Sequence, residues 1–180
     1  INIIKFTVKY AREKKIKLAI ALKRKQFRNY NIPLRAQKNI TGYKDEQNWY
    51  KKNFSKKDYI YLKKRFIQNT PLSSYKCSLE SKVTVACMSS ILREVFPLNK
   101  KILSCNFTND QRHDFPVNGI CNLKSDNFDN FEKTVLKILK FSKKEYFNNI
   151  SKNKNYVMEY NSNNHAFNLI KNRIKKIIHH

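Results

Sequence analysis

Glycine is almost absent from this chain. Only Gly42 and Gly119 occur among 180 residues. Glycine-rich phosphate loops, of the dinucleotide-binding or the P-loop kind, need several glycines close together, because only a residue without Cβ lets the backbone turn tightly beside a phosphate. Both motifs are therefore excluded. A phosphate site in this chain would have to use a helix N-terminus, hydroxyl groups or basic side chains.

Long apolar runs and paired cysteine motifs are also missing. No window holds the roughly eighteen apolar residues that a membrane span needs. No two of the four cysteines lie within three residues of each other, so zinc-knuckle and thioredoxin-like spacings are absent. We expect reduced thiols, with Cys87 and Cys105 inside buried strands, and no metal site. HExxH and GxSxG motifs do not occur either.

Acidic residues are scarce, and the formal net charge is +25. Such a charge indicates a nucleic acid, an anionic membrane or an anionic substrate as partner. Residues 1–68 hold 20 basic against 4 acidic side chains, whereas residues 69–140 hold 10 against 7. The excess of basic over acidic residues therefore lies mainly in the segments that flank residues 69–140. The abundance of Lys, Asn, Ile, Phe and Tyr is equally typical of an AT-rich genome, so solvated faces that bind nothing explain the charge as well.

The chain does contain enough apolar residues for one domain with a core. Hydrophobic residues make up 41% of it, with 12 Phe and 10 Tyr. It begins with Ile1, and the early charges of "INIIKFTVKYAREKK" are unlike a signal peptide. We therefore expect a cytoplasmic protein that begins inside a longer chain.

Hydrophobic periodicity predicts short apolar strands that alternate with helices. This alternation favours an α/β fold, a Rossmann-like and mostly parallel sheet flanked by helices, in one domain over 1–180. An irregular or helical insertion is expected over 23–70, with a loop over 23–43. The predicted helices cover 1–14, 44–54, 55–66 (Ser55 or Asp58 as cap), 73–81, 89–96, 125–142 (Ser125 or Asp126 as cap), a segment after the cap Ser142, and 163–178. The predicted strands cover 16–22, 82–87, 101–107 and the end of 114–123.

Ser89 and Ser90 follow the predicted strand 82–87 and open a helix. The first backbone N–H groups of a helix attract anions, and two hydroxyls add donors beside them. A simple helix cap explains the same serines. Glu94 could accept hydrogen bonds from vicinal hydroxyls, or could be a solvated carboxylate. Arg93 could bind a phosphate, or could pair with an acid. We place both in the first turn of that helix.

A polar stretch, "NFTNDQRHDFP", follows the next strand. It contains His113 beside Asp114, and Thr108 stands at its start. In parallel sheets, ligands bind at the carboxyl ends of the strands, which is where this stretch falls. His113 is therefore a catalytic candidate, and an ordinary structural histidine is the alternative.

The order of these features resembles the carboxyl-terminal lobe of GT-B glycosyltransferases. More closely, it looks like bacterial-type glycosyltransferases of surface-carbohydrate or lipopolysaccharide synthesis. The resemblance covers most of 1–178 and is strongest over 73–146. Its pieces are "KYAREKKIKLAIALKRK", "SSYKCSLESKVTVACMSSILREVFPLNKKILSCNFT", "DFPVNGICNL" and "FEKTVLKILKFSKKEYF". One departure is "FPLNKK", which stands where relatives tend to have a glycine.

The resemblance implies a hexosyltransferase-type lobe that binds a nucleoside-diphosphate sugar for glycan or surface-polysaccharide synthesis. Transfer in this family generally needs no metal, and no cofactor beyond the donor is expected. A lobe before Ile1 would hold the glycan or lipid-linked acceptor, and the 180 residues alone would be inactive. The implied site residues are Ser89, Ser90 and Arg93 for the diphosphate, and Glu94, Thr108 and Asp114 for the ribose and sugar.

Two other interpretations remain open. The first is a basic nucleic-acid-binding or ribosome-associated protein that uses residues 9–28 and 171–176, with an affinity that falls steeply as salt rises. The second is a degenerate lobe that serves only as a scaffold. Contact with a membrane surface is compatible with the transferase interpretation, because positive flanks would attract anionic lipid.

Overall fold

The computed structural model describes residues 1–22, 45–67, 73–108 and 110–150. The predicted loop over 23–43 and the predicted helix over 163–178 lie outside these residues.

The first helix, α1, covers Asn2–Glu13, as its periodicity predicts. It buries Val8, Tyr10 and Ala11 on one face. Phe6 of the same helix packs on Phe107 and Phe131, with ring centroids 5.8 Å apart in both pairs. Phe107 follows a strand of the sheet and Phe131 belongs to the helix Phe128–Lys140, so these aromatic contacts hold α1 against both segments.

The continuous apolar run over 16–22 predicts a strand that is covered on both faces, and this prediction is wrong. Ile16 is 36% exposed, and alternate residues up to Leu22 turn toward solvent. A single parallel bridge joins Ile20 to Phe66, with Ile20 N donating to Arg65 O at 2.8 Å. The run is continuous because its half-buried and buried side chains alternate with alanines, which are apolar but small enough to remain exposed.

Two short helices form the next unit, as predicted. They are α2 (residues 45–53) and α3 (Lys56–Lys63). Ser55 is the N-cap of α3, and its Oγ accepts from Asp58 N at 3.1 Å; Asp58 itself lies in the first turn rather than at the cap. A small core joins this pair to α1 and to the end of the 16–22 run through Val8, Leu22, Tyr50 and Leu62.

The central sheet is parallel, with strand order β1-β2-β3. Thr84 pairs with Ile102, and Ser104 pairs with Asn122. This arrangement confirms an α/β fold with a parallel sheet flanked by helices, although the sheet is small and its strands are shorter than predicted. The elements are α4 (Ser73–Glu80), β1 (Thr84–Ala86), α5 (Ser90–Val95), β2 (Ile102–Cys105), a 3-10 turn (Gln111–His113) and β3 (Asn122–Leu123).

Two helices close the described chain, α6 (Phe128–Lys140) and α7 (Lys143–Asn148). Neither Ser125 nor Asp126 caps α6. Asn127 does, because its side chain accepts from Asp129 N at 2.8 Å and from Asn130 N at 3.2 Å, which are N–H groups that the first turn leaves unpaired. Ser142 caps α7 as predicted, and with Glu145 it forms a capping box.

The main core lies between the sheet, α5, α6 and α7. Ile102, Leu103 and Cys105 of β2 are fully buried, as are Val95 and Tyr146. Cys121 is also fully buried, and burial raises the pKa of its thiol to about 12. All four cysteines are unpaired. Cys87 lies one residue beyond β1 and is only half-buried, so its predicted place in a buried strand is wrong.

Lys101 closes the C-terminal end of α6. Its Nζ donates to Ile138 O at 2.8 Å and also to Phe141 O. The last carbonyls of a helix lack intrahelical partners and carry negative potential, so a lysine is well matched to them. Desolvation lowers the pKa of Lys101. The contact fixes α6 relative to the start of β2.

Candidate functional site

The carboxyl ends of the three parallel strands lie at one edge of the sheet. The chain leaves β1 toward Ser89, leaves β2 at Asn106 and leaves β3 at Lys124. Ligands of parallel α/β folds bind at this edge, because loops and helix N-termini meet there. The polar side chains that follow each strand are therefore the candidate functional residues.

The turn after β1 is conformationally unusual. Met88 has a φ of 50° and is 62% exposed. This left-handed region is uncommon for a bulky residue and costs on the order of 1 kcal/mol or more. The turn positions Ser89 as the N-cap of α5, and Ser90 follows as the first helical residue.

The two serines do not behave as an ordinary cap. Leu92 N donates to the backbone oxygen of Ser89, but the Ser89 side chain makes no capping hydrogen bond. Ser90 is exposed. Within the described residues neither hydroxyl has a hydrogen-bond partner, so both donors are available at the end of β1.

Arg93 and Glu94 do not lie in the first turn of α5, so that placement is wrong. The helix begins at Ser90 and has six residues, which puts both side chains in its last turn. Arg93 is exposed, and Glu94 is half-buried. Neither forms an ion pair in the part of the chain that the structure describes. A ligand at the start of α5 would meet the serines first.

Asn106 organises the loop after β2. It is 4% exposed, and both ends of its amide are used. Its Nδ2 donates to Asp110 O at 2.9 Å and to Asp114 Oδ1 at 2.7 Å. Its Oδ1 accepts from Thr108 N at 3.1 Å and from Thr108 Oγ1 at 2.7 Å. One buried amide therefore ties both ends of the loop to the strand end.

The same contacts determine the protonation pattern of His113. Thr108 Oγ1 gives its proton to Asn106, so it can only accept from His113 Nδ1, 2.9 Å away. His113 must therefore carry a proton on Nδ1. Its Nε2 lies 3.8 Å from Asp110 Oδ2, and about a quarter of the side chain is exposed. In the neutral ring, Nε2 is then the proton acceptor at this edge of the sheet.

Two ion pairs surround the loop. Arg112 chelates the Asp110 carboxylate through Nε and Nη2, and these hydrogen bonds lower the pKa of Asp110. Lys124, from the end of β3, pairs with Asp114, and this contact together with the Asn106 amide lowers the pKa of Asp114. Both carboxylates are therefore held ionised beside His113.

Three of the predicted site residues, Thr108, His113 and Asp114, belong to this one network through Asn106. The predicted group Ser89, Ser90, Arg93 and Glu94 lies on the neighbouring turn, and no hydrogen bond or ion pair within the described residues joins the two groups. Sequence reasoning missed Asn106, Asp110 and Lys124 as members of the network. The predicted strand over 101–107 includes Asn106, so the sequence gives no signal for its role, and nothing in the sequence relates it to Asp114.

Two further kinds of site can be assessed over the same residues. No group of three or more His, Cys, Asp or Glu side chains is arranged to hold a metal ion there. No helix in the described ranges is both long enough and apolar enough to cross a membrane.

Comparisons of the chain with protein-family models, with curated proteins and with solved structures found no match. The assignment of function therefore depends on the residues and on their arrangement.

Proposed function

We propose that this chain is a nucleotide-sugar-binding lobe of a glycosyltransferase. One observation carries the proposal. Two neighbouring parallel strands end, respectively, in a turn whose two hydroxyls have no partner among the described residues and in a loop ordered around a buried asparagine. A nucleoside-diphosphate sugar offers the matching groups, which are a diphosphate and a set of sugar hydroxyls.

The diphosphate would bind at the turn after β1. Ser89 and Ser90 supply free hydroxyl donors there, and the first N–H groups of α5 are directed the same way. Arg93 is exposed and unpaired within the described residues, so its guanidinium could swing toward a phosphate. Because α5 has only six residues, the hydroxyls and Arg93 would contribute more than the helix dipole.

The sugar would bind beside the loop after β2. Asp114 is held ionised and can accept hydrogen bonds from sugar hydroxyls, while Thr108 lies next to it in the network. His113 Nε2 could accept a proton from an acceptor hydroxyl, because the Nδ1 side of the ring is already occupied. Glu94 is half-buried on α5 and would bind the ribose.

The experiment is a binding assay with purified protein. Uridine and guanosine diphosphates and their hexose conjugates would be titrated by calorimetry, with a single-stranded RNA oligomer as the competing ligand. We expect a nucleoside diphosphate to bind, and the double variant Ser90→Ala/Glu94→Ala to weaken that binding at least tenfold, because hydrogen bonds to charged groups contribute about 1.5–3 kcal/mol.

A matched control is available on α4. Ser74→Ala/Glu80→Ala removes the same two groups from partly exposed positions of another helix, and it should leave the affinity unchanged. Equal losses in both double variants would mean that the site is misplaced. Binding of RNA alone, with a strong dependence on salt, would overturn the transferase proposal in favour of a nucleic-acid-binding protein.

A further inference from the structure

Helix α3 presents an isolated apolar side chain to solvent. Ile60 is 46% exposed, although it lies near the middle of the helix. Lys56 and Lys57 precede it by four and three residues, and Lys63 and Lys64 follow it by three and four. Residues at these spacings are neighbours on one helix face. All four lysines are exposed, so Ile60 stands at the centre of a cationic ring, here called the lysine ring.

The rest of the helix explains why this face points outward. Leu62 is fully buried in the small core formed with Val8 and Tyr50. The one acidic residue of α3, Asp58, pairs with Arg12 of α1. Within the described residues no carboxylate pairs with any of the four lysines. No ion pair within the described residues therefore offsets the positive charges of the lysine ring, and the ring surrounds an apolar side chain whose exposure to water is unfavourable.

Helix α2, which precedes α3 in the chain, also exposes an aromatic side chain and two lysines. Trp49, on the adjoining helix α2, is 39% exposed, and Lys51 and Lys52 follow it on the surface. A tryptophan whose ring is partly exposed beside lysines is typical of a side chain at a lipid–water interface. Arg65, by contrast, is occupied, because its guanidinium lies 3.3 Å from the Tyr61 ring centroid and donates to Tyr61 O.

We propose that this face of α3 docks on an anionic lipid bilayer. Phosphate head groups would pair with the four lysines, each of which acts as a point charge, while Ile60 enters the interface between the head groups. A nucleic acid would satisfy the lysines equally well, but a phosphate backbone offers no apolar environment for an isoleucine. Arg65 is already engaged with Tyr61, so its guanidinium is not free to stack on bases. The proposal is independent of nucleotide binding.

The test measures co-sedimentation of the whole chain with vesicles. One set is pure phosphatidylcholine, and the other contains one third phosphatidylserine. We expect binding to the anionic set only. The variant Lys56→Gln/Lys57→Gln/Lys63→Gln/Lys64→Gln should bind about six-hundredfold more weakly, since each lysine near an anionic surface contributes a factor of about five. Ile60→Ser should cost roughly three- to tenfold, because about half of an isoleucine side chain leaves the water.

The control variant removes the same number of positive charges from a different part of the surface. The variant Lys133→Gln/Lys140→Gln/Lys143→Gln/Lys144→Gln changes four exposed lysines of α6 and α7. It should retain most of the binding. Far-ultraviolet circular dichroism checks that each variant is folded, which is expected because every substituted side chain is exposed.

Three results would overturn the proposal. Equal losses in the two four-lysine variants would mean that net charge alone attracts the lipid. An unchanged affinity of Ile60→Ser would mean that no apolar side chain enters the interface. Binding of an RNA oligomer that depends on the lysine ring, without binding to vesicles, would assign this face to nucleic acid instead.

Discussion

Replacing Tyr146 with phenylalanine should lower the stability of the protein, because it removes the hydroxyl that hydrogen-bonds to the backbone of the central strand β2. Tyr146 is fully buried. Its hydroxyl donates to Ile102 O at 2.7 Å and accepts from Ile102 N at 3.0 Å. These backbone groups face the side of β2 on which β3 has not yet begun, since β3 first pairs with Ser104. The tyrosine therefore takes the place of a missing strand partner, and burial raises the pKa of its hydroxyl so that it stays protonated.

The cost of the substitution follows from that geometry. Phenylalanine keeps the packing of the ring but leaves a buried N–H and a buried C=O of Ile102 without partners. Each unpaired buried group costs about 1–3 kcal/mol. We expect the free energy of unfolding of Tyr146→Phe to fall by roughly 2–4 kcal/mol, measured from urea denaturation followed by circular dichroism with the slope m unchanged.

Tyr10 provides the matched control. It is 4% exposed, and its hydroxyl is buried without a hydrogen-bond partner in the described residues. Tyr10→Phe deletes the same atom yet should change stability by less than about 0.5 kcal/mol, or raise it, because no hydrogen bond is lost. Equal effects of the two substitutions would refute the reasoning, and so would a loss below about 0.5 kcal/mol for Tyr146→Phe.

Two further substitutions test other parts of the fold. Gly119→Ala should destabilise the protein by roughly 2 kcal/mol or more, because φ is 121° and an added Cβ would lie 2.3 Å from Asn149 O; a urea midpoint equal to that of the parent would contradict this. The stability of the variant Asp114→Asn should fall less steeply than that of the parent protein as the pH is lowered. The folded-state pKa of Asp114 lies below its ordinary 3.8, so its ionised form stabilises the fold above that pH, and this contribution disappears as pH falls through the lower value. Urea midpoints measured from pH 7 to about pH 2 would show parent and variant converging in acid, and parallel curves would contradict the assignment.

The helices could be predicted well because their signals are local. Ser55 and Ser142 cap α3 and α7 as expected, since a cap requires only a side-chain oxygen two or three residues before a backbone N–H. The cap of α6 was misplaced by one or two residues because "SDN" offers three consecutive capping side chains. Only the backbone geometry at Asn127 selects between them.

The strands were harder to predict because burial depends on distant parts of the chain. Leu103 and its neighbours form the fully buried strand that continuous apolar character indicates. The run over 16–22 has the same character but lies beside Phe66, outside the three-stranded sheet. Apolar composition cannot distinguish these cases, because alanine is tolerated on either side of a partly covered segment.

The candidate site, too, could be predicted from the sequence only in part. The sequence places serines after β1 and a polar loop after β2, and the parallel sheet brings both to one edge. The short length of α5 moves Arg93 and Glu94 away from the first turn, and only the folded helix reveals its length. Asn106 can hydrogen-bond to both Thr108 and Asp114 only because the loop folds back over the end of β2.

The sequence by itself determined the α/β alternation and the capped helices, because each depends on residues within one or two turns of one another. The tertiary structure alone decided which polar groups meet. Tyr146 reaches Ile102 across 44 positions, and Lys101 reaches the end of α6 across 37 and 40. Such pairings depend on how the helices pack on the sheet, and no local pattern encodes them. The lysine ring depends on both sequence and tertiary structure. The sequence sets the spacing of the lysines around Ile60, and the burial of Leu62 on the opposite side of α3 directs them to solvent.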